Sequence, residues 1–263
     1  MISDERKQKI MDMLRHDGTV KVADLSRVFG VSEVTVRNYL ADMERKGLLS
    51  RTHGGAISSY KPYCSMNFNQ RLETNHADKD LIAKKASQLI EPDDTVMLNA
   101  GTTTLLTFRH LPASYNLNIV TNSISIALEA SSNPNFNVVL VGGFINAKYQ
   151  FTFGDDAVAQ LKKYHADKLI LSVDGIDYDN GFSTYYSEES SVDRAMLEQS
   201  DVCIIAADKS KLRRNAFAKI SDTSSADYII TTGEANKKER AVFAKHGIEY
   251  INANWPTWRT GCG

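Results

Sequence analysis

The stretch VDGIDYDNGFSTYYSEE places Asp174 and Asp177 three positions apart around Gly175, with Glu188 and Glu189 following across a loop. Carboxylates paired in this way can pass a proton or accept hydrogen bonds from sugar hydroxyls. Asp-Gly is equally a common turn former. A second stretch, MLNAGTTT at 97–104, ends an apolar run in Gly101 and three threonines. Gly101 lets a backbone approach closely. Thr102, Thr103 and Thr104 join hydroxyls to the N–H groups of a helix start, which together cradle an oxyanion. Glycine followed by threonine also begins many helices that hold no ligand. A third stretch, AADKSK at 206–211, offers Lys209 and Lys211, cations that can neutralise a phosphate or simply face water. TNS at 121–123, with Asn122 at its centre, and Gly142-Gly143 close two more apolar runs and also read as plain turns.

Taken together, these groups describe a pocket for a phosphorylated sugar. Thr102, Thr103 and Lys211 suit the phosphate, while Asp174 and Glu188 suit the hydroxyls. Carboxylates repel phosphate, so the two sets are expected at opposite ends of the ligand.

Such groups need a scaffold. Apolar runs at 95–99, 117–121, 137–142, 168–173, 202–207, 227–232 and 248–251 read as strands. Helical patterns lie between them at 103–111, 124–132, 155–164, 188–199 and 235–246, after a first one from Asp78 through KDLIAKKASQLI. This alternation predicts an α/β domain with a mostly parallel sheet. In such sheets ligands bind beyond the carboxyl ends of the strands, where every stretch above falls.

The first 57 residues have a different pattern. A helix is expected from Ser3, with Ile10, Met13 and Leu14 on its apolar stripe and Asp17-Gly18 at its end. VKVADLSRVFG predicts a second helix broken at Gly30, and Ser32 caps a third over EVTVRNYLADMERKG. Val36, Leu40 and Met43 share the inner face of that third helix. Val34, Thr35, Arg37 and Asn38 lie opposite, the residue types that a helix offers to the major groove, although a solvated face reads similarly. GLLSRTHGGAI then gives a Gly-Gly hairpin, a wing with Arg51 and His53 near its tip. A helix, a helix-turn-helix and a wing in succession favour DNA. Residues 1–61 carry 11 basic and 8 acidic side chains, against 20 and 24 in the remainder, so the head is the more basic part.

LSRVFGVSEVTVRNYLADMERKGLLSRTHGGA resembles the head of the DeoR family of bacterial transcriptional regulators. The chain keeps that family's Thr35, Val36, Arg37, Leu40, Arg51, His53, Gly54, Gly55 and Ala56. It departs at Asn38 and Tyr39, where the family usually has Arg and Asp. The body is similar to the DeoR effector domain, through AGTTT, TN, GG, DGI and ADKSK, with Asn99 where Asp is common. That fold resembles ribose-5-phosphate isomerase, whose D-G-A-D matches Asp174, Gly175, Ile176 and Asp177. The isomerases place a lysine shortly after that loop, whereas NGFSTYYSEE holds neither Lys nor Arg.

The resemblance implies a winged helix-turn-helix over 1–57 and an isomerase-like α/β effector domain over 77–252. The polar stretch 58–76 reads as a linker that can hold a short ordered piece around Phe68 to Leu72, and 253–263, outside the resemblance, reads as a tail. It implies DNA contacts from Ser32, Val34, Thr35, Arg37, Asn38, Arg51 and His53. It also implies a repressor of a sugar-metabolism operon, controlled by a phosphorylated sugar, with no catalytic residues, metal or cofactor. The alternative is a sugar-phosphate isomerase that carries a DNA-binding head. Two operator half-sites call for a dimer or higher homo-oligomer. Of the 263 residues 42% are hydrophobic, with no apolar run long enough to span a membrane and no signal peptide, so a cytoplasmic protein is expected. Cys64, Cys203 and Cys262 are odd in number and far apart, and read as reduced thiols.

Overall fold

A computed structural model describes residues 3–17, 19–45, 48–58 and 66–255. Cys64, Cys262 and most of the tail lie outside them. The chain divides into two compact units, residues 1–66 and 67–263.

In the first unit, helices Ser3–Asp17, Val22–Phe29 and Glu33–Arg45 pack on a small antiparallel sheet. Its strands are β1 (Thr19–Lys21), β2 (Leu49–Thr52) and β3 (Gly55–Ser58), in the order β1-β3-β2. Ile10, Leu14, Leu25, Phe29, Val36, Leu40 and Met43 form the core, as the helical spacing dictates. Gly30 ends the second helix with φ 61°, a left-handed turn that glycine adopts without strain. Residues 19–21 were expected to be partly helical and instead form a strand. The β-branched Thr19 and Val20 pair with Ile57 and Ala56 of the wing, and the helix starts only after Lys21. Gly55 makes this pairing possible, since a Cβ there would stand 1.9 Å from the Val20 carbonyl oxygen.

The second unit is built on seven parallel strands. They are β4 (Thr95–Leu98), β5 (Leu117–Thr121), β6 (Phe136–Leu140), β9 (Ala166–Leu171), β12 (Ser200–Ala206), β14 (Tyr228–Thr231) and β15 (Glu249–Asn252). All seven coincide with the apolar runs of the sequence. Alternate residues serve opposite faces. Met97, Leu169, Leu171 and Ile205 meet helices Asp155–Leu161, Ser187–Glu198 and Lys237–Lys245. Leu98, Ile170, Ile204 and Ile230 meet helices His76–Ser87, Thr102–Arg109 and Ile124–Ala130. Both faces are covered, which is why the strands read as continuous apolar runs.

The strand order is β15-β14-β12-β9-β4-β5-β6. The chain therefore builds outward from β4 in one direction and from β9 in the other. A crevice opens beyond the carboxyl ends of strands at such a switch point. Two smaller pieces stand near it. Hairpin β7 (Phe144–Asn146) and β8 (Phe151–Phe153) packs Tyr149 and Phe151 against Ala100. An antiparallel sheet joins β10 (Gly175–Asp177), β11 (Gly181–Thr184) and β13 (Ala218–Ser221). None of the described helices is long and apolar enough to cross a membrane.

Candidate functional site

The head presents one candidate surface. Ser32 Oγ accepts the Thr35 N–H at 3.2 Å and so caps the third helix. Val36, Leu40 and Met43 are buried, while Val34, Arg37 and Asn38 are exposed on the other side. An aliphatic side chain as open as Val34, at 64%, contributes nothing to the core. Arg51 lies on β2, and His53 is exposed in the turn that leads to β3. Helix and wing enclose a cleft of about 400 Å³ lined by Arg37, Leu40, Glu44, Arg51, Thr52 and His53, with Val22 and Gly55. Arg37 is paired with Glu33 at 2.7 Å, and Arg51 with Glu44 at 2.8 Å. Neither acid stood out in the sequence. Tyr39, one of the two departures from the family pattern, accepts a hydrogen bond from Arg6 at 3.1 Å and so ties the first helix to the third.

The second site lies at the switch point. Asn99 and Ser172 directly follow β4 and β9. Asn99 Oδ1 accepts the Ser172 N–H and its Nδ2 donates to the Ser172 carbonyl, both at 2.9 Å. The Asn99 amide also receives Thr104 Oγ1–H at 3.0 Å and donates to Asp193 Oδ1 at 3.1 Å. This fully bonded amide fixes the floor of the crevice. Gly101 lies against the same wall, where a Cβ would meet Ser172 Cβ at 2.3 Å. Thr102 and Thr103 begin the helix Thr102–Arg109, whose first-turn N–H groups have no partner within the helix.

Three cations gather nearby. Lys211 Nζ lies 3.3 Å from Asp174 Oδ1, and Arg71 Nη1 lies 3.9 Å from the same oxygen. The Arg71 guanidinium stacks on Tyr149, 4.6 Å from the ring centre, and the Tyr149 hydroxyl contacts that of Tyr186. Lys79 is fully buried and donates to the Arg71 carbonyl. Burial lowers its pKa to about 8, with Lys211 and Arg71 pushing the same way and Asp208 and Asp174 opposing. Burial pushes the Asp174 carboxyl up, but Lys211, Arg71 and the Tyr185 N–H together outweigh it, and the net direction is down. Among the described residues, Glu189 has no cation at hydrogen-bond distance. Burial first, then repulsion from Asp174, raises it to about 7 against the pull of Thr184 Oγ1, which donates to it at 2.5 Å. Burial and Glu189 push Asp193 well above the carboxylate range. Asp174 pairs with Lys211 and Arg71, Asp208 and Asp174 act on Lys79, and Glu189 and Asp193 are shifted toward their neutral forms. The balance suits an anion.

The expected site residues divide. Gly101, Thr102, Thr103, Asp174, Gly175 and Lys211 all lie where the strand ends meet. Asn122 is buried beyond β5, with its Oδ1 accepting no hydrogen bond. Asp177 turns away, its Oδ1 accepting the N–H groups of Asp179 and Asn180 and closing a turn. Glu188 is exposed beside Ser187, and Glu189 holds the inward position instead. Lys211 and Asp174 were expected at opposite ends of a ligand and are in fact a buried ion pair. Lys211 and Arg71 together offset the charge of that buried carboxylate. Arg71, Lys79 and Asp193 were missed, and Glu189 was named beside Glu188 without being given its place in the site. Arg71 sits on the helix Phe68–Glu73, inside the segment read as a linker. For Glu189 and Asp193 a signal existed: they share a helix face with the apolar Val192 and Met196.

Comparisons with known proteins bear on both units. The DeoR-like helix-turn-helix domain matches residues 6–61, and the DeoR C terminal sensor domain matches residues 74–233. The chain is 34% identical over 249 residues to a putative aga operon transcriptional repressor of Escherichia coli O157:H7, covering 94% of this chain and 93% of that protein. It is 29% identical to the HTH-type transcriptional repressor GlcR of Bacillus subtilis strain 168, over 95% and 96% of the two chains. Among solved structures, a ribose 5-phosphate isomerase A from Methanocaldococcus jannaschii matches with a TM-score of 0.39 and 16% identity, over 52% of this chain and 55% of that one.

Proposed function

The chain belongs to the DeoR family of transcriptional regulators, and from that premise we propose that it represses a sugar-metabolism operon and takes a phosphorylated sugar in the switch-point crevice. It is a DNA-binding regulator, and its helix-turn-helix is the reading head. In this reading Ser32, Val34, Thr35, Arg37 and Asn38 face the major groove, and Arg51 and His53 of the wing meet the backbone or minor groove.

One observation carries the ligand reading: Arg71, Lys79 and Lys211 are gathered around Asp174, which follows β9 at the switch point next to the β4 end that leads into the helix Thr102–Arg109. Helix N–H groups, threonine hydroxyls and buried cations suit a phosphate. The Glu189 carboxyl, raised to about 7, and the open acceptor Asn122 Oδ1 suit sugar hydroxyls. Binding there would shift the population of head arrangements and so alter operator affinity. The protein works as a cytoplasmic homo-oligomer, since one head reads only one half-site. It is read as sensing the sugar rather than converting it because it carries the DeoR C terminal sensor domain and the relatives it matches are named transcriptional repressors.

A thermal-shift screen of the full chain against phosphorylated sugars tests this, followed by a turnover assay with each hit. Stabilisation by a phosphorylated sugar, absent with the dephosphorylated sugar and without turnover, supports the reading. Steady conversion of ribose 5-phosphate that disappears in Asp174→Asn would overturn the sensor assignment.

A further inference from the structure

Glu44 stands on the recognition helix and faces the wing across the cleft. Its two carboxylate oxygens have separate tasks. Oε1 accepts the Arg51 backbone N–H at 2.8 Å, and Oε2 accepts the Arg51 Nε–H, also at 2.8 Å. One bond fixes the wing strand, and the other fixes the plane of the guanidinium that the strand carries. Both side chains are well exposed, at 39% and 46%, so such a pair adds little to folding stability. A negative charge beside a surface that meets a polyanion also weakens binding by simple repulsion. Neither stability nor bulk charge accounts for an acid at this position.

The geometry points to a different task. An arginine has five N–H donors, one on Nε and four on the two terminal nitrogens. With Nε–H held by Glu44, the edge left for a second partner is the Nη1–Nη2 fork. That edge meets a phosphate, or O6 and N7 of guanine, side-on and with two bonds. The cleft beside it also contains Arg37, whose guanidinium is held by Glu33.

We propose that Glu44 is a positioning residue for DNA recognition. It prepays the ordering of Arg51, so that the wing arginine meets DNA already aimed. This rests on the wing contact assigned above.

The test uses the full chain and a duplex that the wild-type protein selects from a randomised pool, with affinity followed over a range of salt. Arg51→Ala should weaken binding about tenfold and lower the salt slope by about one ion. Glu44→Gln keeps the size of the side chain but loses the charged clamp. It should weaken binding about fivefold and lower the slope as well, although it removes a negative charge. Glu44→Asp, too short to make both bonds, should fall between Glu44→Gln and wild type. In the Arg51→Ala background, Glu44→Gln should cost nothing more. Three results would overturn the proposal. Equal or tighter binding by both Glu44 variants would mean that charge alone matters there. A further loss in the Arg51→Ala background would mean that Glu44 acts by a route other than aiming the guanidinium, through the wing strand or by touching DNA itself. Unchanged binding by Arg51→Ala would remove the wing contact and this inference with it.

Discussion

Lys211 Nζ and Asp174 Oδ1 lie 3.3 Å apart, with side chains only 5% and 9% exposed. The pair joins the strand end after β12 to the strand end after β9, and Arg71 reaches the same carboxylate from the helix Phe68–Glu73. A ligand phosphate arriving here would compete with Asp174 for the cations, and could draw Lys211 and Arg71 away from it. An ion pair that can be opened in this way links three separate segments to one bound group.

The first prediction follows from the burial of that pair. Lys211→Met removes the nearer of the two cations beside a buried carboxylate, leaving Arg71 at 3.9 Å, and should lower unfolding stability by about 1–3 kcal/mol. Adding Asp174→Asn should recover most of the loss. Urea denaturation of the two variants and wild type measures both steps. A double variant no better than Lys211→Met would show that the pairing is not what the lysine provides.

A pH prediction comes from Glu189, whose folded carboxyl is raised to about 7 from an ordinary value of 4.5. The folded state then holds more protons than the unfolded chain between those values, so this group makes stability fall as pH rises through that window. Glu189→Gln keeps an acceptor for Thr184 and cannot ionise. It should flatten the fall between about pH 5 and pH 8, and be the more stable protein at about pH 8 by roughly 1–3 kcal/mol. Thermal melts across that range decide the matter, and equal slopes for the two proteins would count against the raised carboxyl.

Gly101 gives a steric prediction. A methyl group there would stand 2.3 Å from Ser172 Cβ and 2.7 Å from its Oγ. Gly101→Ala should therefore cost about 1–3 kcal/mol through overpacking, and Ser172→Gly in the same chain should return part of it. Unfolding curves for the single and double variants are sufficient, and an Ala variant as stable as wild type would show that the crevice wall can move.

Much of this arrangement was legible in the sequence. The seven strands of the parallel sheet are uniform apolar runs because both of their faces are covered, and that pattern needs no tertiary information. Gly101, Thr102, Asp174 and Lys211 could be placed because each lies within four residues of the end of such a run. The rest depends on contacts distant in sequence. Arg71 lies on a helix of six residues, too short for a periodic pattern to register. Lys79 carries no sign of burial in the sequence, and its full burial depends on tertiary packing. Glu188 and Glu189 are adjacent and chemically alike, so the choice between them rests on where the helix after Tyr186 begins. β1 was missed because Val20 fits a helix stripe as well as it fits a strand that pairs with the wing.

For the head, Arg37 is exposed on the outer face of the third helix and paired only with Glu33, one turn away. Arg37→Ala should weaken operator binding by about 1–3 kcal/mol. Fluorescence anisotropy with the selected duplex measures this, and equal affinity would remove Arg37 from the DNA contacts.

The measurement closest to the central claim compares operator affinity with and without a stabilising phosphorylated sugar, in wild type and in Arg71→Met. Arg71→Met removes one cation but leaves Lys211 to balance Asp174. In wild type the phosphorylated sugar should change operator affinity by about tenfold or more, and its dephosphorylated form should leave it unchanged. Arg71→Met should bind the operator like wild type in the absence of sugar and respond little when the sugar is added. A full response in Arg71→Met, or an equal response to the dephosphorylated sugar, would contradict a phosphate held at this crevice.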